Sequence, residues 1–387
     1  MKKAISLALA LTLAVSFAAC GGGGGGGNSQ GGGGSESDVI KIGVFEPLTG
    51  GNAGGGELEV RGIELAHEKY GEVLGKKIEL VKADNKSDAV EASVAASRLV
   101  ESEKVDIVIG SWGSTLSNAG GPIFKENKIV CMGASCTNPN VTNSNEYYYR
   151  VCFIDPFQGT VLANYAFNDL GAKNVAIIFE SSNDYAVGLK NFFEEAFKEL
   201  GGTISSTSTY QLDDTDFSSQ LQAALANNPD CIFAPGNFTE AALMMQQARQ
   251  TGSDIQFLGG DTFEVPELIT IGGDAVEGCA ITSFFDPAAP INDTTTEFIE
   301  AYRAKYNEEP AAFAALGYDA YVTVYKAIEA AGSVDSDAIR DALSTIVVPG
   351  ATGNIRFNDK GDAIINLAVL KVVKDGKFEY LSTVTID

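Results

Sequence analysis

The residues best suited to chemistry lie in a few short polar stretches, and together they match a small zwitterion. Asp261, in Gly259-Gly260-Asp261-Thr262-Phe263, supplies a fixed negative charge for an ammonium group. Ser114, in Gly110-Ser111-Trp112-Gly113-Ser114-Thr115, precedes a predicted helix. Its hydroxyl and the neighbouring backbone N–H groups would form an anion site aided by the helix dipole. Thr137, in Gly133-Ala134-Ser135-Cys136-Thr137-Asn138-Pro139, adds a second hydroxyl. Trp112, Tyr185, Phe238 and Phe263 would wall an apolar side chain. Taken singly, each hydroxyl and Asp261 itself is as consistent with a helix cap or a turn; the set is what points to a ligand. The only histidine, His67, falls within a predicted surface helix. No Ser-His-Asp, Cys-His or zinc-like spacing accompanies it, so no catalytic site, metal or cofactor is expected.

These stretches share one property: each follows a predicted strand. Apolar runs at 39–45, 77–83, 105–110 and 128–132 read as strands, separated by helical patterns at 57–70, 89–100 and 116–126. The rhythm restarts with strands at 174–179, 203–210, 230–234 and 256–258 and helices at 185–200, 217–226 and 239–251. Two long helices follow at 294–306 and 312–331, then a β-hairpin over 364–373 and 378–384 turned at Asp375-Gly376. Alternation of this kind predicts an α/β protein of two doubly wound parallel-sheet lobes. Ligands of open α/β sheets sit outside the carboxyl ends of the strands, and two such edges facing each other make a cleft that hinge motion can close.

The order and spacing of several motifs carry a resemblance. They include Ile42-Gly43-Val44 with Pro47-Leu48-Thr49-Gly50, Arg61-Gly62-Ile63-Glu64-Leu65-Ala66, and Ile109-Gly110-Ser111 with Ser114. Tyr149-Arg150-Val151, Asp155-Pro156-Phe157-Gln158-Gly159, Asp184-Tyr185 with Gly188, and Gly259-Gly260-Asp261 continue it. From Val39 to Asp387 the sequence resembles the branched-chain amino-acid binding proteins, the type I periplasmic solute-binding family of ABC importers. The resemblance implies that Ser114 and Thr137 bind a ligand carboxylate and that Ser135 offers backbone oxygen to the amine. It implies that Asp261 faces the ammonium, that Tyr185 closes over the ligand, and that Phe313 packs near the ligand side chain. Trp112, Cys136, Asn237 and Phe238 complete the expected site. Two positions depart from the family: Gly55 stands where some relatives place a tyrosine, and Asn237 where many have one. An amino acid is therefore firmer than a branched-chain one. Three passages between lobes are implied, near Ile154, Phe284 and Gly353, giving lobes of residues 39–153 plus 284–352 and 154–283 plus 353–387.

The N-terminus supplies an address. Met1-Lys2-Lys3 is positive, 4–14 is apolar, and Val15-Ser16-Phe17-Ala18-Ala19-Cys20 ends in small residues before a cysteine. This is the layout of a secretory signal over 1–19, and it resembles a lipoprotein processing site that would lipidate Cys20. Residues 20–38 then read as a glycine-rich tether to an extracytoplasmic membrane face. The net charge of −24 argues against nucleic acid and anionic lipid as partners. The partners implied are a free amino acid and the permease subunits of an importer, with the protein itself a monomer. Five further cysteines, Cys131, Cys136, Cys152, Cys231 and Cys279, read as small buried hydrophobes. Two other readings stand beside transport: a sensor on the same fold, and a binder of amides or urea-like compounds. A dinucleotide-dependent oxidoreductase is a remote third, because the glycines at 50–56 miss the G-x-G-x-x-G register.

Overall fold

The structure, a computed structural model, describes residues 39–385. The expected signal over 1–19, Cys20 and the glycine-rich stretch to 38 lie outside the described residues. Two sheets carry the architecture. The first has six strands in the order Glu72–Val73, Lys76–Asp84, Val39–Glu46, Ile107–Gly110, Cys131–Gly133 and Tyr148–Arg150. The second has seven: Lys377–Thr385, Leu367–Lys374, Ala280–Ser283, Gln256–Gly259, Cys231–Phe233, Asn174–Glu180 and Thr203–Tyr210. The inner strands pair in parallel and are buried on both faces, as helices on each side of the sheet require. This is the expected two-lobed periplasmic-binding-protein type I fold.

The sheets are mixed rather than wholly parallel. Glu72–Val73 runs antiparallel to its neighbour, and Leu367–Lys374 runs antiparallel to both Ala280–Ser283 and Lys377–Thr385. The pairing of Leu367–Lys374 with Lys377–Thr385 follows from the turn. Asp375 and Gly376 both take positive φ, 51° and 69°, the combination that a two-residue hairpin loop requires. The strand Tyr148–Arg150 and the short helices Pro266–Gly272 and Ser336–Leu343 are additions to the elements expected.

The long late helix Ala312–Ala331 packs on the first helix, Ala53–Lys69, closely enough to need glycine. A Cβ on Gly62 would lie 1.9 Å from the Ala314 carbonyl oxygen, and one on Gly317 would lie 2.1 Å from that of Glu59. The end of the chain then returns to the second sheet. The sequence places that return near Gly353. In the structure Gly353–Ile355 still pairs with Val348–Gly350, Asp362 bridges beside Arg150, and the second sheet is rejoined at Leu367. The five cysteines from Cys131 onward are all buried and unpaired.

Candidate functional site

The carboxyl ends of the two sheets face one another across a cleft of ≈ 200 Å³. That is below the roughly 300–1,000 Å³ of pockets for drug-sized ligands and suits a smaller molecule. Of the expected site residues, Trp112, Ser114, Ser135, Tyr185, Asn237 and Asp261 line it. The strand Ile107–Gly110 delivers Trp112 and then the helix Ser114–Glu126, whose first turn borders the cleft. Helix starts carry N–H groups without intrahelical partners, so this wall favours an anion. The N-cap is Gly113, not Ser114; the Ser114 hydroxyl instead accepts the Asn138 N–H at 3.1 Å and ties the two loops together. Across the cleft, the strand Gln256–Gly259 leads through Gly260 to Asp261, whose Oδ1 accepts from Gln158 Nε2.

Asp261 is only 2 % exposed, and burial pushes its pKa up to about 6. None of the ion pairs among the described residues includes it. A buried carboxylate without a counter-charge opposite a helix start is the charge pattern an amino acid's ammonium and carboxylate would complete. Tyr185 stands beside Asp261, its hydroxyl 3.5 Å from Thr262 Oγ1.

Five expected residues do not line the cleft; one of them, Phe263, is fully buried against Gly259. Phe238 and Phe313 are buried behind Trp112, edge-on to its ring at 6.4 Å and 5.7 Å. Cys136 turns into the first lobe toward Gly133, and its carbonyl accepts from Arg150. Thr137 is buried beside Asp155, its hydroxyl without a regular hydrogen bond.

The sequence model of the periplasmic binding protein family matches residues 39–377. The chain belongs to that family. This periplasmic binding protein is 27% identical over 331 residues to the leucine-, isoleucine-, valine-, threonine- and alanine-binding protein of Pseudomonas aeruginosa, covering 84% of the chain and 87% of the relative. It is 30% identical over 350 residues to Leu/Ile/Val-binding protein homolog 2 of Brucella abortus, covering 88% and 93%. Among solved structures it resembles a leucine-binding protein from Thermotoga maritima, with a TM-score of 0.88, 43% identity and coverage of 90% and 99%. It also resembles the branched-chain amino-acid transporter substrate-binding protein of Streptococcus pneumoniae in complex with isoleucine, with a TM-score of 0.83, 32% identity and coverage of 90% and 99%.

The structure of this binding protein adds groups to the site. Glu46 and Glu59 face each other, both fully buried, beneath the cleft floor. Glu46 Oε2 accepts the Trp112 N–H at 2.7 Å, and Glu59 accepts from the Ser135 hydroxyl. Burial, reinforced by Glu59, holds the Glu46 carboxyl well above its ordinary range; burial puts Glu59 at about 7. The pair therefore keeps a proton at neutral pH, since two adjacent carboxyls do not both ionise. A sequence signal exists for Glu59: its spacing from Gly55, Gly56, Gly62 and Ile63 places it on the buried helix face. From the second lobe, Glu180 lines the cleft, accepting from Asn183 Nδ2 at 3.1 Å and Ser182 Oγ at 3.3 Å, with burial raising it to about 7. The two halves also touch directly. Asp184 donates its N–H to Thr115 Oγ1 at 2.9 Å and accepts from Asn118 and Asn138 side-chain amides at 2.7 Å each.

Proposed function

We propose that this protein is anchored outside the membrane through Cys20, captures a free amino acid between its two lobes, and hands it to the permease of an ABC importer. The lobes are residues 39–153 plus 284–352 and residues 154–283 plus 353–387. The observation that carries the ligand class is Asp261: a buried, uncompensated carboxylate opposite the Ser114 helix start in a cleft sized for a small molecule. An amino acid answers both ends; an aromatic acid would leave Asp261 buried and unpaired. The bonds from Asp184 to Thr115, Asn118 and Asn138 are the contacts that closure would make and opening would break. The relatives named as Leu/Ile/Val-binding proteins support an aliphatic amino acid as ligand.

A thermal-shift screen of the purified protein against the twenty amino acids and simple amides is the direct test. A ligand present at about 100 times its Kd stabilises by roughly 2.7 kcal/mol, so at least one amino acid should raise the melting temperature clearly. A screen in which only amides do so would replace this ligand class. The anchor is tested separately. Cys20→Ser should release the protein from the membrane fraction into the soluble extracytoplasmic fraction; retention on the membrane would remove Cys20 as the attachment point.

A further inference from the structure

Gly55 and Trp112 occupy one volume between them. A Cβ built on Gly55 would lie 2.3 Å from Trp112 Cε2 and 2.4 Å from Nε1, so no side chain at 55 can coexist with this indole. The indole is held from several sides. Its backbone N–H is bound by Glu46 Oε2 at 2.7 Å, and its ring is wedged edge-on between Phe313 of the first half and Phe238 of the second. The ring is 1 % exposed and also borders the cleft. Its Nε1 is buried without a hydrogen-bond partner. That edge lies against Gly55, so what the ring presents to the cleft is its bulk. Removing the ring would open the cleft directly toward Gly55, where there is no side chain to fill the space.

We propose that Trp112 determines specificity by setting an upper size limit on the ligand side chain, with Gly55 as its required complement. The cleft then admits an amino acid with an aliphatic-sized side chain and excludes phenylalanine and tyrosine. This rests on the reading that the cleft takes a free amino acid.

Calorimetry on the full chain, purified in detergent, tests it with leucine and phenylalanine as probes. The wild type should bind leucine and not phenylalanine. Trp112→Leu should shift the ratio toward phenylalanine by at least roughly tenfold, the scale on which pockets discriminate side-chain size. Gly55→Tyr should abolish binding of both, and adding Trp112→Leu to it should restore leucine binding and the exclusion of phenylalanine. Such a rescue marks a direct coupling between the two positions. An unchanged preference in Trp112→Leu, or unchanged affinity in Gly55→Tyr, would overturn the proposal. If Trp112→Leu does not fold, Trp112→Phe replaces it and should show a smaller shift in the same direction; no shift counts against the proposal. Wild-type protein that binds phenylalanine as tightly as leucine overturns the size limit alone. Wild-type protein that binds no amino acid overturns the ligand class and this inference with it.

Discussion

Asp261→Ala should weaken amino-acid binding by about 2–5 kcal/mol, the cost of truncating one side of a buried charge pair. That corresponds to a loss of roughly 30- to 5,000-fold. The reason is geometric. No ion pair among the described residues includes Asp261, so the ligand's ammonium would supply its counter-charge. The same substitution should leave the unliganded protein no less stable. It removes a desolvated carboxyl, and Gln158 Nε2 keeps its bond to Thr282 Oγ1 at 2.9 Å. Affinity and stability therefore respond with opposite sign, which separates a ligand role from a structural one. Calorimetry and unfolding on the same variant check both; unchanged affinity would sink the amine site.

Acidity provides a second check on Asp261. Burial raises its pKa from 3.8 to about 6. The ammonium needs the ionised form, so protons compete with ligand and affinity should fall as the pH drops through about 6. The stability of the unliganded protein moves the other way. For a carboxyl with a raised folded-state pKa, the contribution is full below the unfolded value and is lost as pH rises through the folded value. Glu59 and Glu180, raised by burial to about 7, and Asp155, raised by burial to about 8, act in the same direction. The melting-temperature gain produced by a saturating ligand should thus grow from about pH 5 to about pH 7 and lose most of that growth in Asp261→Ala.

Much of this arrangement is legible in the sequence because strand ends are legible. Polar residues just after neighbouring parallel strands collect along one edge, so Ser114 and Ser135 gather on the first sheet and Asn237 and Asp261 on the second, and all four line the cleft between. The Asp375-Gly376 hairpin is legible for a local reason, its turn chemistry. What stays hidden depends on side-chain direction or on partners distant in sequence. Phe238 and Phe313 belong to the site only through Trp112, which stands between them and the cleft. Cys136 and Thr137 sit in the right loop, but Cys136 turns back onto Gly133 and Thr137 is buried beside Asp155. Glu46 ends a strand and Glu59 lies on the following helix, and only the packing of one on the other brings them together. Nothing in the local pattern announces that a glutamate in a buried stripe faces a second one.

Arg150 shows how a residue outside the cleft shapes it. Its side chain is fully buried, and all five of its N–H donors are used. Nε and Nη2 donate to Asp362 Oδ1 at 2.8 Å and 2.6 Å, Nη2 also to Thr142 Oγ1 at 3.1 Å. Nη1 donates to the carbonyls of Cys136 and Asn138 at 2.7 Å and 2.6 Å. Those carbonyls flank Thr137 in the loop that presents Ser135 to the cleft, while Asp362 belongs to the segment leading back to the second sheet. Burial would raise the Asp362 pKa, but Arg150 together with hydrogen bonds from Thr142 and Asn358 holds the carboxyl below its ordinary value. The pair's stabilisation is therefore present above the unfolded pKa and lost as pH falls through the folded one. Arg150→Met should destabilise the protein by about 3–5 kcal/mol, since it strands a buried charge and leaves two carbonyls unbonded. Arg150→Lys keeps the charge but not the planar fork, so it should recover only part of the loss. Adding Asp362→Leu to Arg150→Met removes the stranded charge and should also restore part of the stability. The stability it restores should not carry affinity with it, because the loop carbonyls would still lack their donor. Urea unfolding and calorimetry on the single and double variants check this; a double variant that regained full affinity would show that Arg150 acts on folding alone.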